Sequence, residues 1–359
     1  MNHYLEMSHE EGGSAEPDWL TIIAVQYFQT VPLRCFVWPQ NLPYKLDVPI
    51  QDAILRTTVQ SELGKRYSPE ASYSLRFLKA ILEKVDATGE EHSEVLLEAY
   101  LVLLSSASGD KLTGDLSRAC YKSYPLPTKI SSTVYLTLHE EPLKISQGTT
   151  GLCTWEAALR FAEYLVYAAP EVIQGRRILE LGAGAGLLGL VCLYMGASTV
   201  ELTDADEGVL ERLKENVDIN SQAIIDRIAR DFEGLQNNPP NISVSKLDWE
   251  SVEFDDIASR NAEVIVCADV VYDPILIPPL TSVLGSLLRT PCHVHNTGFR
   301  EGWVALTMRQ EQTYQEFLRA LARNRIRYER VRLDCVPELF YHEDNVGEVA
   351  LLHLTVADS

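Results

Sequence analysis

Residues 177–190, RILELGAGAGLLGL, constrain the fold of this chain more than any other stretch. An apolar run, Ile178 to Leu181 around a single Glu180, meets three glycines at alternate positions, Gly182, Gly184 and Gly186. A second apolar run follows from Leu187. A short apolar run bounded by glycines reads as a buried strand, and the run after the glycines as a buried helix opening. Glycine lets the backbone turn sharply and come close to a ligand. The first N–H groups of a helix have no partner inside it and point at whatever lies beyond. Strand, glycine turn and helix start, in that order, predict a site for a nucleotide-like ligand.

The sequence after this turn alternates between strand and helix. Strands are predicted at 199–203, 242–246, 262–267 and 303–307, with helices at 207–220, 278–289 and 312–322. Two closing strands, 328–333 and 347–356, follow without a helix between them. Such alternation implies a mainly parallel, doubly wound α/β sheet, and the last pair an antiparallel hairpin at one edge. The first 106 residues read differently. Helices are predicted at 18–30, 49–63, 70–85 and 93–105. Leu75, Phe77, Leu78, Ile81 and Leu82 form a stripe of 3.6-residue period. These stripes read as core packing, with a substrate-recognition module as the alternative. Residues 108–128, rich in Gly, Ser and Pro, read as a linker. Residues 131–140 alternate as a strand does, 142–146 are a candidate hairpin partner, and Thr154 is placed to cap a helix running to 168. The expected division is a disordered tail at 1–17, a helical N-terminal domain and linker at 18–128, and an α/β domain at 129–359.

Composition narrows the function. The formal net charge is −20, which argues against a general binder of nucleic acid or of an anionic membrane. The same charge suits a basic protein substrate, or simply solubility. No apolar run approaches the roughly 20 residues that span a bilayer, and the acidic start MNHYLEMSHEEGG lacks a secretory apolar region. Seven scattered cysteines with no C-x-x-C point to a reducing compartment, hence the cytoplasm, and away from a disulfide or zinc framework. Cys292, His293 and His295 lie close together but lack other ligands at metal spacing, so no metal site is expected.

The expression G-x-G-x-x-G occurs at Gly184, Gly186 and Gly189. Its register does not suit a dinucleotide fold, because the turn already begins at Gly182 and position 187 is Leu. An acidic residue within the strand followed by L-G-x-G-x-G instead matches the pattern of S-adenosylmethionine-dependent methyltransferases. Asp204 lies 22 residues beyond Gly182, at the carboxyl end of the second strand. A carboxylate there can accept both ribose hydroxyls, or it can cap the helix that follows. Open sheets bind ligands beyond the carboxyl ends of their strands, which places Asp248-Trp249 and Ala268-Asp269 at the same crevice. Trp249 is either an adenine platform or a core residue. Trp155 either closes the site from the preceding helix or packs beneath it.

The run Ala268-Asp269-Val270-Val271-Tyr272 resembles the D-x-x-Y motif of seven-strand protein methyltransferases. Together with GTTGLCTWEAAL (148–159), SKLDWE (245–250), VIVCADVVYDP (264–274), VALTMRQEQTYQEF (304–317) and ELFYHEDNVGEVALLHL (338–354), it makes the chain resemble the eukaryotic elongation factor 2 lysine methyltransferase family. The resemblance covers most of the chain from about residue 50 and includes Tyr73–Lys79 in the helical part. It implies a Rossmann-like seven-strand sheet of order 3-2-1-4-5-7-6 with a helical N-terminal domain. It implies S-adenosylmethionine as cofactor, with contacts at Trp155, Gly182, Ala183, Gly184, Asp204, Trp249 and Ala268. It implies that the catalytic pair Asp269 and Tyr272 lines the lysine entry, Asp269 to capture and orient the lysine and Tyr272 to shape the channel. A capping Asp and a packed Tyr are the alternative for that pair. The implied partner is elongation factor 2, with no nucleic acid and no membrane, and the implied state is a cytoplasmic monomer. Another protein substrate, a nicotinamide-dependent oxidoreductase and a non-catalytic scaffold are the competing functions. The polar segment 221–240 departs from the family pattern and is expected as a surface loop.

Overall fold

The computed structural model describes residues 19–113, 120–127, 134–141, 150–231, 240–291, 300–344 and 346–356. The chain divides into two units, Met1–Pro142 with Leu339–Tyr341, and Leu143–Glu338 with His342–Ser359. The expected tail at 1–17, the hairpin partner at 142–146 and the Cys292–His295 group lie outside the described residues.

The first unit holds α1 (Trp19–Phe28), α2 (Val48–Thr57), α3 (Glu62–Arg66), α4 (Ala71–Thr88) and α5 (Glu94–Thr113). Asp47 opens α2 by accepting from the Ile50 N–H, with proline in the first turn, and Ser61 opens α3 by accepting from the Gly64 N–H. The period-3.6 stripe of α4 turns Phe77, Leu78 and Ile81 inward against Ile23, Tyr27 and Ile54. Tyr27 is buried there with its hydroxyl 2.8 Å from Ser74 Oγ. The stretch expected as a linker instead carries the end of α5 and a strand, β1 (Tyr121–Leu126). β1 pairs antiparallel with β2 (Val134–His139), Tyr121 opposite His139 and Leu126 opposite Val134. In a two-stranded ribbon each strand has a free edge, and that is where a proline such as Pro125 is tolerated.

The second unit is the α/β layer structure. Its elements are α6 (Glu156–Tyr167), β3 (Arg177–Leu181), α7 (Leu187–Tyr194), β4 (Thr199–Asp204), α8 (Glu207–Asp231), β5 (Asn241–Lys246), α9 (Phe254–Ser259), β6 (Val264–Ala268), α10 (Ile277–Arg289), β7 (Glu301–Thr307), α11 (Glu311–Arg323), β8 (Ile326–Val331) and β9 (Val349–Val356). The sheet order is β5-β4-β3-β6-β7-β9-β8. Counted from β3 as the first strand of this sheet, that is 3-2-1-4-5-7-6, the order the resemblance implies. β5, β4, β3, β6 and β7 run parallel, and β9 is antiparallel to both β7 and β8.

Strand alternation explains how the sheet is covered on both sides. Leu179 and Leu181 of β3 join Ile265, Cys267, Leu352 and Leu354 in a core with α10 and α11. Glu180 points the other way, toward α7, where it meets Gly189. Of the segment expected as a loop, 221–240, residues 221–231 instead continue α8 to Asp231, and 232–239 lie outside the described residues. The reason is legible in burial: Leu213 and Val217 are followed by Ile224 and Ile228, all buried on one face.

Candidate active site

The turn after β3 brings the backbone to the edge of a cleft. Gly182, Gly184 and Gly186 have φ of 67°, 54° and 91°, a region L-residues avoid. A Cβ on Gly182 would stand 2.7 Å from Val270 Cγ1 and 3.4 Å from the Trp249 ring, and one on Gly184 would stand 3.2 Å from the Gly151 carbonyl. The Ala183 N–H donates to the Thr203 carbonyl at 2.8 Å, which ties the turn to the end of β4. Gly189 serves packing: its Cβ would fall 2.1 Å from Leu202 Cδ2 and 2.6 Å from Glu180 Oε2. Only a side chain of hydrogen lets α7 settle this closely on β3 and β4.

Every predicted site residue lines this one cleft: Trp155, Gly182, Ala183, Gly184, Asp204, Trp249, Ala268, Asp269 and Tyr272. The cleft lies at the carboxyl ends of β3, β4, β5 and β6, where open parallel sheets bind ligands. Asp204 ends β4 and accepts from the N–H groups of Gly184 and Asp206, each at 3.2 Å. Burial raises its carboxyl above the usual range against the pull of those N–H groups. Trp249 is partly buried, and its Nε1 has no hydrogen-bond partner among the described residues. Trp155 is the residue before α6, and its Nε1 donates to the Thr150 carbonyl at 2.9 Å.

Asp269 follows β6 with φ of 56°, strained for a residue with a side chain. Its backbone N–H donates to the Ala305 carbonyl at 2.9 Å. Its Oδ1 accepts from the Thr307 N–H (2.9 Å) and Arg309 Nη1 (3.2 Å), and its Oδ2 from Thr307 Oγ1 (2.9 Å) and Arg309 Nη2 (3.0 Å). The Arg309 guanidinium also lies 4.9 Å from the centre of the Trp155 ring, within cation–π range. Tyr272 stands at the mouth, 51% exposed.

Two partners of this site escape sequence reasoning. Thr307 ends β7 and Arg309 lies two residues beyond it, 38 and 40 positions from Asp269, and no spacing in the chain marks them. In the sequence Glu180 stands out only as the acidic residue of the strand before the glycine turn. In the structure it lines the cleft, its Oε2 has no hydrogen-bond partner among the described residues, and burial pushes its carboxyl up to about 8.

Comparison with known proteins agrees with this architecture. The family described as lysine methyltransferase matches residues 134–323. A human protein named protein-lysine N-methyltransferase EEF2KMT is 34% identical, over 90% of this chain and 92% of that protein. The Bos taurus protein of the same name is 33% identical, over 90% and 93%. Protein-lysine N-methyltransferase EFM3 of Chaetomium thermophilum is 28% identical, over 80% and 86%.

Proposed function

Since the chain belongs to the lysine methyltransferase family, we propose that its cleft holds S-adenosylmethionine and delivers the methyl group to a lysine of elongation factor 2. Membership makes the chain a protein-lysine methyltransferase, and the oxidoreductase and scaffold alternatives fall with it. The substrate is argued from the relatives, whose name EEF2KMT carries that factor, and from their coverage of nearly the whole chain.

The residues present fit such a cofactor. The turn at Gly182–Gly184 leaves a cradle that any Cβ would crowd. Two buried polar atoms, Glu180 Oε2 and Trp249 Nε1, are left without protein partners among the described residues, and buried polar atoms left so call for an explanation. In this reading Asp204 holds the ribose hydroxyls, Trp249 lies against the adenine, and the Gly182–Gly184 backbone and Ala268 line the rest. Held by Gly182–Gly184, Asp204, Trp249 and Ala268, the cofactor would supply the methyl to a lysine amine that has already given its proton to water. The chain's own work is positioning, because methyl transfer needs the amine lone pair in line with the methyl carbon. A lysine with pKa near 10.4 is almost wholly protonated at neutral pH, so the channel must favour its neutral form. Burial and a neighbouring positive charge both do so. Asp269 fixes the wall of this channel, and Tyr272 narrows its mouth.

In this reading the enzyme is a cytoplasmic monomer. No described helix is long and apolar enough to cross a membrane, and no described cysteine is in a disulfide. The observation that carries the proposal is the convergence of the glycine turn, Asp204, Trp249 and the D-x-x-Y segment on one cleft. Its test is labelled methyl transfer into a lysate of cells lacking this protein, followed by mass spectrometry of the labelled band. Label on a lysine of elongation factor 2 is expected. Label on a different protein, with none on this factor, overturns the substrate.

A further inference from the structure

The Asp269 carboxylate is the one acid of the cleft wall held by a matched cation among the described contacts. Its two oxygens take four hydrogen bonds, two of them from a single guanidinium in a parallel fork, the strongest geometry a carboxylate can adopt with arginine. Arg309 is in turn fixed from its other side by the Trp155 ring, and Trp155 is fixed by Thr150. Both neighbours of Arg309 line the cleft, and so do Glu180, Asp204, Asp248 and Glu250. Asp204, Asp248 and Glu250 make the wall acidic, Glu180 being held as its neutral acid, and no lysine or arginine is among the described lining residues. That is a difficulty for the reaction, since a bare carboxylate beside the target amine favours the charged, unreactive ammonium.

We propose that Arg309 is the built-in counter-ion of the cleft, a positioning residue that cancels the Asp269 charge so that the amine is delivered as its free base. The inference rests on the cofactor reading above. Thr307 holds the carboxylate in place, and Arg309 sets what the carboxylate presents to the cleft. The strained backbone at Asp269 is what aims its side chain across to the end of β7.

The charge can be read without turnover, from a pair of ligands alike in shape and unlike in charge. S-adenosylmethionine carries a sulfonium, and S-adenosylhomocysteine is the neutral thioether. Calorimetric titration of the full chain gives the ratio of their affinities, and a partly unfolded sample lowers both equally and leaves the ratio intact. Arg309→Gln bares the carboxylate and is expected to raise preference for the cation about threefold to tenfold at low salt. Arg309→Lys, which restores the charge without the fork, and the double variant Arg309→Gln with Asp269→Asn are expected to keep the native ratio. An unchanged ratio in Arg309→Gln overturns the inference. Loss of both ligands in Arg309→Gln and Arg309→Lys alike also overturns it, because Arg309 is then a structural strut. Failure of the native protein to bind either ligand instead overturns the cofactor reading itself, and the inference with it.

Discussion

Glu180 is a carboxyl enclosed between β3 and α7, 2% exposed. Burial is the main cause of its raised pKa, with the nearby Asp204 charge adding to it, and the result is about 8 against an ordinary 4.5. A carboxyl whose folded pKa is raised binds its proton more tightly folded than unfolded. Stability is then lost as pH climbs from about 4.5 through about 8, and is flat above that. Glu180→Gln removes the ionisation and keeps the shape. Melting curves between pH 5 and pH 9 are expected to fall less steeply for this variant than for the native protein, by roughly a few kcal/mol over the window. Parallel curves would show that Glu180 is ionised in the fold. The neighbouring Gly189 tests packing at the same spot. A methyl there meets Leu202 Cδ2 and Glu180 Oε2 at 2.1 and 2.6 Å, and overpacking of this kind costs about 1 to 3 kcal/mol. Gly189→Ala is expected to lower the unfolding free energy by that amount, read as a lower denaturation midpoint with an unchanged slope, and no change in midpoint would mean that α7 slides freely.

Helix α6 carries Glu156, Arg160 and Glu163, spaced four and three apart and so on one face. His342 donates to Glu156 at 2.5 Å and to Glu163 at 2.9 Å. Arg160 pairs with Glu163 at 3.3 Å and with Glu338 at 3.1 Å. Burial alone would lower the His342 pKa, but the two carboxylates outweigh it and hold the ring at about 9. The sign is that of a histidine with a raised pKa: its stabilisation is complete below the unfolded value near 6.5 and is lost as pH rises through about 9. His342→Gln is expected to flatten the melting temperature between pH 6.5 and 9 and to lower it at pH 6. Equal destabilisation at both pH values would make the contact one of shape alone. Elements were legible in the chain where one face repeats at a fixed period, as in α4, and where glycines punctuate, as between β3 and α7. They were less legible where sequence composition misleads. The polar residues 221–231 continue a helix because Ile224 and Ile228 are buried four apart, and β1 forms because β2 is there to pair with it. Long-range pairs left no trace. His342 finds Glu156 across 186 positions, and Arg309 finds Asp269 across 40. The cleft was legible where its walls follow the ends of β3, β4, β5 and β6, positions that topology fixes once the glycine turn is recognised, and less so at Trp155, which precedes α6 and follows no strand end.

At the scale of the whole molecule the dominant feature is charge. The chain carries 51 acidic and 31 basic residues, a formal net charge of −20. A protein substrate offering a lysine meets that field before it meets the cleft. Opposite charges steer an encounter and set its orientation, and the benefit fades as salt shortens the screening length from about 10 Å at 0.1 M to about 3 Å at 1 M. Chemistry inside the cleft is less exposed to salt, because lining residues such as Glu180, Ala183 and Asp269 are buried and buried pairs are weakly screened. The two stages therefore separate in kinetics. Raising salt from about 0.05 to 0.5 M is expected to raise KM for the protein substrate several-fold and leave kcat within about twofold, since only the encounter complex is weakened. A short peptide bearing the same lysine lacks the extended surface of the whole protein, so its KM should respond far less. If KM for the intact protein stays flat across this range, the acidic surface serves solubility, and recognition must rest on apolar and hydrogen-bonding contacts at the mouth of the cleft near Tyr272.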